Sequence, residues 1–125
     1  MENNKFFICK HCGNLTGMIF NSGVPMVCCG DNMTLLEANT VDASNEKHIP
    51  SVKIEGNTIK VVIGEVVHPM LDNHHIDWIY LETEKGGQRK KCINTPEATF
   101  IIADDDKVKT VFAYCNLHGL WKKNI

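Results

Sequence analysis

Six cysteines and six histidines in 125 residues are the side chains best able to do chemistry in this chain. Four of the cysteines form two pairs near the N-terminus, Cys9-Lys10-His11-Cys12-Gly13 and Cys28-Cys29-Gly30. A Cys-x-x-Cys turn aims two thiolates at one point, and a second pair completes a tetrahedral sulfur site suited to zinc or iron. Adjacent cysteines on a strand would face opposite ways. Cys28 and Cys29 therefore need a tight turn, and the tolerance of Gly30 for positive φ fits that need. Sulfur sets of this kind more often hold structural zinc, and spacing alone does not separate zinc from iron. Two disulfides are the other reading, disfavoured where no export signal is seen. His11 reads as an exposed spacer, since four sulfurs already fill a tetrahedron.

The remaining histidines fall in four short pieces: Glu46-Lys47-His48-Ile49-Pro50, His68-Pro69-Met70, His74-His75-Ile76-Asp77-Trp78 and Cys115-Asn116-Leu117-His118-Gly119. Imidazole suits iron, copper, nickel or zinc, and thiolate adds a soft, electron-donating ligand. Four histidines and one cysteine would make five ligands, more than tetrahedral zinc takes, and would leave one open position on an octahedral iron. A single loop histidine is more often an ordinary polar residue than a ligand. His74 and His75 are neighbours, so on a strand at most one of them reaches a shared site. On spacing alone, a metal site and a chance arrangement are evenly matched here.

The elements that must bring these pieces together read as strands. Val52-Lys53-Ile54 runs into the turn signal Gly56-Asn57, and Ile59, Val61 and Ile63 then alternate with Lys60. His74–Glu84, Gln88–Asn94, Ala98–Ala103 and Val108–Cys115 follow, the last two separated by Asp104-Asp105-Asp106. Short strands at this spacing, without a convincing amphipathic helix, predict an all-β chain ending in a β-sandwich. Each histidine piece lies at a strand end or loop, where a sandwich can gather distant segments. Residues 1–37 stand apart as a first domain, with short apolar pieces (Phe6-Phe7-Ile8, Met18-Ile19-Phe20, Leu35-Leu36) and many turn residues. A piece under about 40 residues rarely folds without a metal, disulfide or partner chain. Residues 38–46 read as a polar linker opening a second domain, 38–125.

Composition narrows the function classes. Net charge is −2, so nothing in the overall balance points to nucleic acid or an anionic membrane. No apolar run approaches the ~20 residues of a membrane span. The start Met-Glu-Asn-Asn-Lys lacks the pattern of a secretory signal, which leads us to expect a cytoplasmic chain. In a reducing compartment, such cysteines bind metal or do chemistry more often than they pair. Cys92 belongs to neither motif and reads as a buried, inert thiol.

Taken together, the motifs resemble those of desulfoferrodoxin, the two-iron class of superoxide reductase, over nearly the whole chain. Cys9-x-x-Cys12 with Cys28-Cys29 is similar to the desulforedoxin-type motif. Glu46-Lys47-His48-x-Pro50, His68-Pro69-Met70 with His74, and Cys115-Asn-x-His118-Gly119 are similar to the catalytic-domain motifs. The resemblance implies a desulforedoxin-like domain, an immunoglobulin-like sandwich, a homodimer and two irons per chain. By that resemblance Cys9, Cys12, Cys28 and Cys29 hold a tetrahedral iron. His48, His68, His74 and His118 are equatorial ligands of a square-pyramidal iron, with Cys115 axial. It implies that Lys47 helps superoxide in and that Glu46 caps the oxidised iron. It also implies reduction of superoxide to hydrogen peroxide, with a rubredoxin-like electron donor.

Overall fold

The computed structural model describes residues 5–40, 45–64, 66 and 68–125, and at Asn45 and Glu46 the backbone alone. Of the expected linker, residues 41–44 lie outside the described residues. The chain divides into two compact units, Met1–Ala38 and Asn39–Ile125.

The first unit is built from five short strands: β1 (Phe6–Ile8), β2 (Leu15–Gly17), β3 (Val27–Cys28), β4 (Asp31–Asn32) and β5 (Thr34–Leu35). They form a three-stranded sheet in the order β2-β1-β5 and a separate β3-β4 ribbon. Its apolar pieces are used unevenly. Phe6 is buried, whereas Ile19 is 104% and Phe20 81% exposed, because β2 has already ended at Gly17. Little apolar surface is left to drive folding, so this unit depends on its sulfur cluster.

The second unit is a two-sheet sandwich of seven strands. β6 (Pro50–Glu55), β7 (Thr58–Ile63) and β10 (Glu97–Ile101) pair in the order β10-β7-β6. β8 (Ile76–Thr83), β9 (Gly87–Lys91), β11 (Val108–Cys115) and β12 (Gly119–Asn124) pair in the order β12-β11-β8-β9. The alternation read from the sequence supplies the core. Ile59, Val61 and Ile63 of β7 meet Phe100, Ile79, Leu81, Val111, Ala113 and Trp121, all fully or almost fully buried. The Gly56-Asn57 signal closes the β6–β7 hairpin as a two-residue turn, with Gly56 at φ 60°.

Three expectations need correction. The histidine-rich segment does not enter its strand at His74; β8 begins at Ile76, and Leu71 and His74 close a turn before it. A seventh strand, β12, follows the last one expected, its polar Lys122-Lys123-Asn124 end hiding it from pattern reading. One helical turn, α1 (Asn45–His48), stands where only linker and loop were expected.

Candidate metal centres

The first cluster is made by two turns. The Cys9–Cys12 knuckle is closed by Gly13 N–H donating to Cys9 O and Cys9 N–H donating to Asn14 O, each at 2.8 Å, with Gly13 at φ 84°. Opposite it, Cys29 and Gly30 are the two central residues of the β3–β4 hairpin. Both have positive φ, 54° and 74°, as a type I′ turn requires. This conformation, uncommon for a residue with a side chain, is how two adjacent cysteines come to face one point. The four sulfurs all lie within 4.8 Å of one another, Cys12 and Cys28 at 3.6 Å.

The electrostatics of the cluster are those of thiols competing for few protons. The amide of Cys12, followed by that of His11, stabilises the Cys9 thiolate and brings it down to about 6. Cys29 is pushed up to about 12 by Cys12, Cys9 and Cys28 around it, and Cys28 is raised chiefly by Cys9. A cation at the centre removes this competition, because each thiolate then faces positive charge. Asn14 Nδ2 sits 3.6 Å from the Cys28 sulfur. His11 points away into an exposed contact with Asp31 at 3.2 Å, as a spacer should.

The second cluster is gathered at one end of the sandwich. His48 is the last residue of α1, His68 follows β7, His74 closes the turn before β8, and Cys115 ends β11. The donor atoms of these four lie within 4.8 Å of one another. His118 joins them from the three-residue β11–β12 connection, which Gly119 closes at φ 78°.

The imidazoles stand as a square. Neighbouring ring centroids are 4.7 Å apart for His48–His68 and for His68–His74, 5.0 Å for His74–His118 and 4.9 Å for His118–His48. The His48–His74 diagonal is 6.4 Å. His48 Nε2 lies 3.2 Å from His68 Nε2 and 3.1 Å from His118 Nδ1. Adjacent corners of a square about 2.2 Å from its centre have that separation, close to imidazole–metal bond lengths. The Cys115 sulfur lies 3.4 Å from His68 Nε2 and 3.9 Å from His118 Nδ1.

Three observations show that these side chains suit a cation. His68 Nδ1 bonds to Pro69 O at 2.7 Å, which leaves its Nε2 lone pair facing the cluster. His74 Nε2 is buried without a hydrogen-bond partner, a costly arrangement unless something else uses it. Burial holds His68 down to about 4 and lowers His74, where the charges of His118, His75 and Lys47 act in the same direction. Both imidazoles are therefore neutral and ready to donate at pH 7.

A β-bulge decides which of the two neighbouring histidines faces inward. Tyr114 pairs with Trp78 but Cys115 pairs with Ile76, so Asp77 is an extra residue on β8. Leu81 and Ile79 face the core, and strict alternation would continue to Asp77 and then His75. The bulge flips that parity to Ile76 and His74. His75 is turned out, its Nδ1 on Leu71 O at 2.8 Å and its Nε2 on Asp77 Oδ1 at 2.7 Å. These contacts, the Leu71 carbonyl foremost, raise it above the usual histidine range, and both its ring nitrogens are engaged away from the cluster.

Lys47 is exposed beside this cluster, and its charge is felt at His74. The Glu46 side chain lies outside the described residues. Sequence reasoning assigned no part to Trp121, which is fully buried, stacks on His48 at 4.7 Å and donates from Nε1 to His118 O at 3.1 Å. Its only sequence signal was an aromatic three residues after His118. Cys92 is half-buried rather than buried, and burial, with Asp77 and Glu97, pushes its thiol up to about 11. That keeps it protonated and inert, as expected.

Comparison with known proteins agrees with this geometry. A family model described as Desulfoferrodoxin matches residues 40–124. The desulfoferrodoxin of Nitratidesulfovibrio vulgaris is 40% identical over 120 residues, 94% of each chain. The crystal structure of the superoxide reductase from Treponema pallidum matches with a TM-score of 0.81 and 38% identity, over 96% of this chain and 98% of that one. A shorter solved structure, the superoxide reductase (1Fe-SOR) from Giardia intestinalis, is 34% identical with a TM-score of 0.52, over 64% of this chain and 97% of that one. With two candidate metal sites, one of four cysteines and one of histidines with Cys115, on a matching fold, the chain belongs to the desulfoferrodoxin family.

Proposed function

We infer that this chain is a superoxide reductase, an enzyme that converts superoxide to hydrogen peroxide with one electron and two protons. The observation that carries the reading is the square of four imidazoles with the Cys115 thiol beside it and the His74 Nε2 left without a partner. We assign iron to both clusters. Cys9, Cys12, Cys28 and Cys29 would hold one ion, and His48, His68, His74, His118 and Cys115 the other. Held there in its ferrous state, the second ion would supply the single electron that superoxide needs.

The protein's own groups do the rest. Cys115, fully buried, donates electron density and keeps its sulfur away from water. Lys47 places a positive charge near the site, which raises the local concentration of a small anion. We assign Glu46, on the same helical turn, as the carboxylate that caps the oxidised centre. The first cluster has no ligand position to spare, so we assign it storage or relay of electrons and the stabilising of its own unit. The shorter 1Fe-SOR relative supports that division. A rubredoxin-like protein is the proposed donor, a cytoplasmic homodimer the proposed state.

Product stoichiometry tests the reading. The reduced protein, given a measured flux of superoxide and excess donor, should form one peroxide per superoxide and no oxygen. One oxygen for each peroxide would identify a dismutase instead.

A further inference from the structure

His74 sits between two peptides that one side chain grips. Asn116 Oδ1 accepts from His75 N–H at 2.7 Å, and Asn116 Nδ2 donates to Asn73 O at 3.1 Å. The Asn116 main chain adds a third bond, its N–H donating to His75 O at 3.1 Å. That last bond continues the β11–β8 ladder by one residue beyond the Cys115–Ile76 pair. The ladder then stops, because the chain turns off into the β11–β12 connection. The Asn116 amide oxygen stands in for the carbonyl that a longer strand would have offered His75.

We propose that Asn116 is a positioning residue that locks the His74-bearing turn to the Cys115–His118 loop, so fixing the His74 imidazole relative to the thiolate. His48, His68 and Cys115 are buried, whereas His74, like His118, is half-buried, and it stands on a short turn that Asn116 fastens. Only a carboxamide of this length meets both partners. Aspartate keeps the acceptor for His75 N–H but turns a carboxylate oxygen towards Asn73 O. Serine is too short to span the two peptides, and glutamine is one methylene too long. The bulge at Asp77 selects His74 over His75, and Asn116 then holds that choice in place.

The proposal rests on the reading that the histidine cluster binds iron, and the test separates the two. Protein loaded with iron at both centres is compared with Asn116→Ala and Asn116→Asp. Two readouts are followed: the thiolate-to-iron absorption of the second centre, and the rate at which its ferrous ion is lost to a chelator. The four-cysteine absorption serves as an internal control. In Asn116→Ala the second-centre band should shift and iron loss should quicken about tenfold to a hundredfold, the usual cost of losing a group that orients a ligand. Asn116→Asp should fall between this variant and the parent, and it decides the matter if the alanine variant does not fold. The four-cysteine band should be unchanged in both. An unshifted band with release within twofold of the parent would overturn the proposal, as would equal loss at both centres. A parent protein with no thiolate band from the second centre would instead overturn the iron reading itself.

Discussion

The two metal clusters of this chain differ in what surrounds them, and the difference separates two uses of a metal. The cysteine cluster lies on turns of a unit with almost no core, two of its four sulfurs exposed. There an ion would be the centre of the fold, because the contacts that otherwise join the knuckle to the β3–β4 ribbon, such as His11–Asp31 and Asn14–Cys28, are exposed. The histidine cluster sits at one end of a sandwich that has its own apolar core, to which Cys115 also belongs. There the fold holds the proposed ligands, and an ion would be free to do chemistry.

If that contrast is right, breaking each cluster should fail differently. The largest effect is expected from Cys115→Ser, which removes the proposed sulfur ligand while changing one buried atom. Superoxide reduction should drop at least about a hundredfold, with the four-cysteine spectrum intact. Cys12→Ser should do the reverse. The first unit should lose its metal and its ordered structure, since binding of about 10 kcal/mol or more is folding energy in metal-built units. Its amide signals should collapse in NMR spectra while the bimolecular rate with superoxide stays within about twofold. Loss of all activity in a variant with a folded sandwich would contradict the assignment of chemistry to the second cluster.

Smaller changes sharpen the comparison. Lys47→Ala should lower the bimolecular rate about tenfold and flatten its dependence on ionic strength. An unchanged rate and salt slope would remove Lys47 from substrate attraction. Metal removal exposes a pH dependence in the second unit. His68 and His74 bind protons less readily when folded than when unfolded, so the metal-free sandwich should lose stability as pH falls. The loss begins near the ordinary histidine value of about 6.5 and, for His68, is complete below about 4. Thermal unfolding of the metal-free protein across that window measures it. The mildest change is Gly30→Ala. A methyl there meets no atom within 4 Å, so only the left-handed backbone is penalised, at φ 74°. The expected cost is about 1 kcal/mol, read as a several-fold faster loss of metal from the cysteine cluster alone.

The same contrast explains what could be read from the amino acids alone. Cys9, Cys12, Cys28 and Cys29 are legible because turn geometry is local, and Gly13 and Gly30 mark where φ must be positive. The alternating strands of the sandwich were legible for the same reason, Val108–Cys115 to the residue. The choice of His74 over His75 was legible only through the family resemblance, because it depends on a bulge at Asp77 that exists only once β8 meets β11. Until then the parity of Ile79 and Leu81 favours the wrong neighbour. β12 went unseen because Leu120 and Trp121 are followed by two lysines and an asparagine on an edge strand. Asn116 and Trp121 were visible as residues but not as supports. Their partners lie 41 residues away, in the backbone N–H of His75, and in the ring of His48, which no periodicity foretells.

In the assignment proposed above, five side chains from distant loops share one ion. X-ray absorption at the iron edge of the Cys12→Ser variant, where only the second centre remains, tests it most directly. The expected shell is four nitrogens at about 2.1 Å and one longer sulfur. A shell without sulfur, or one with fewer than four imidazole nitrogens, would contradict it.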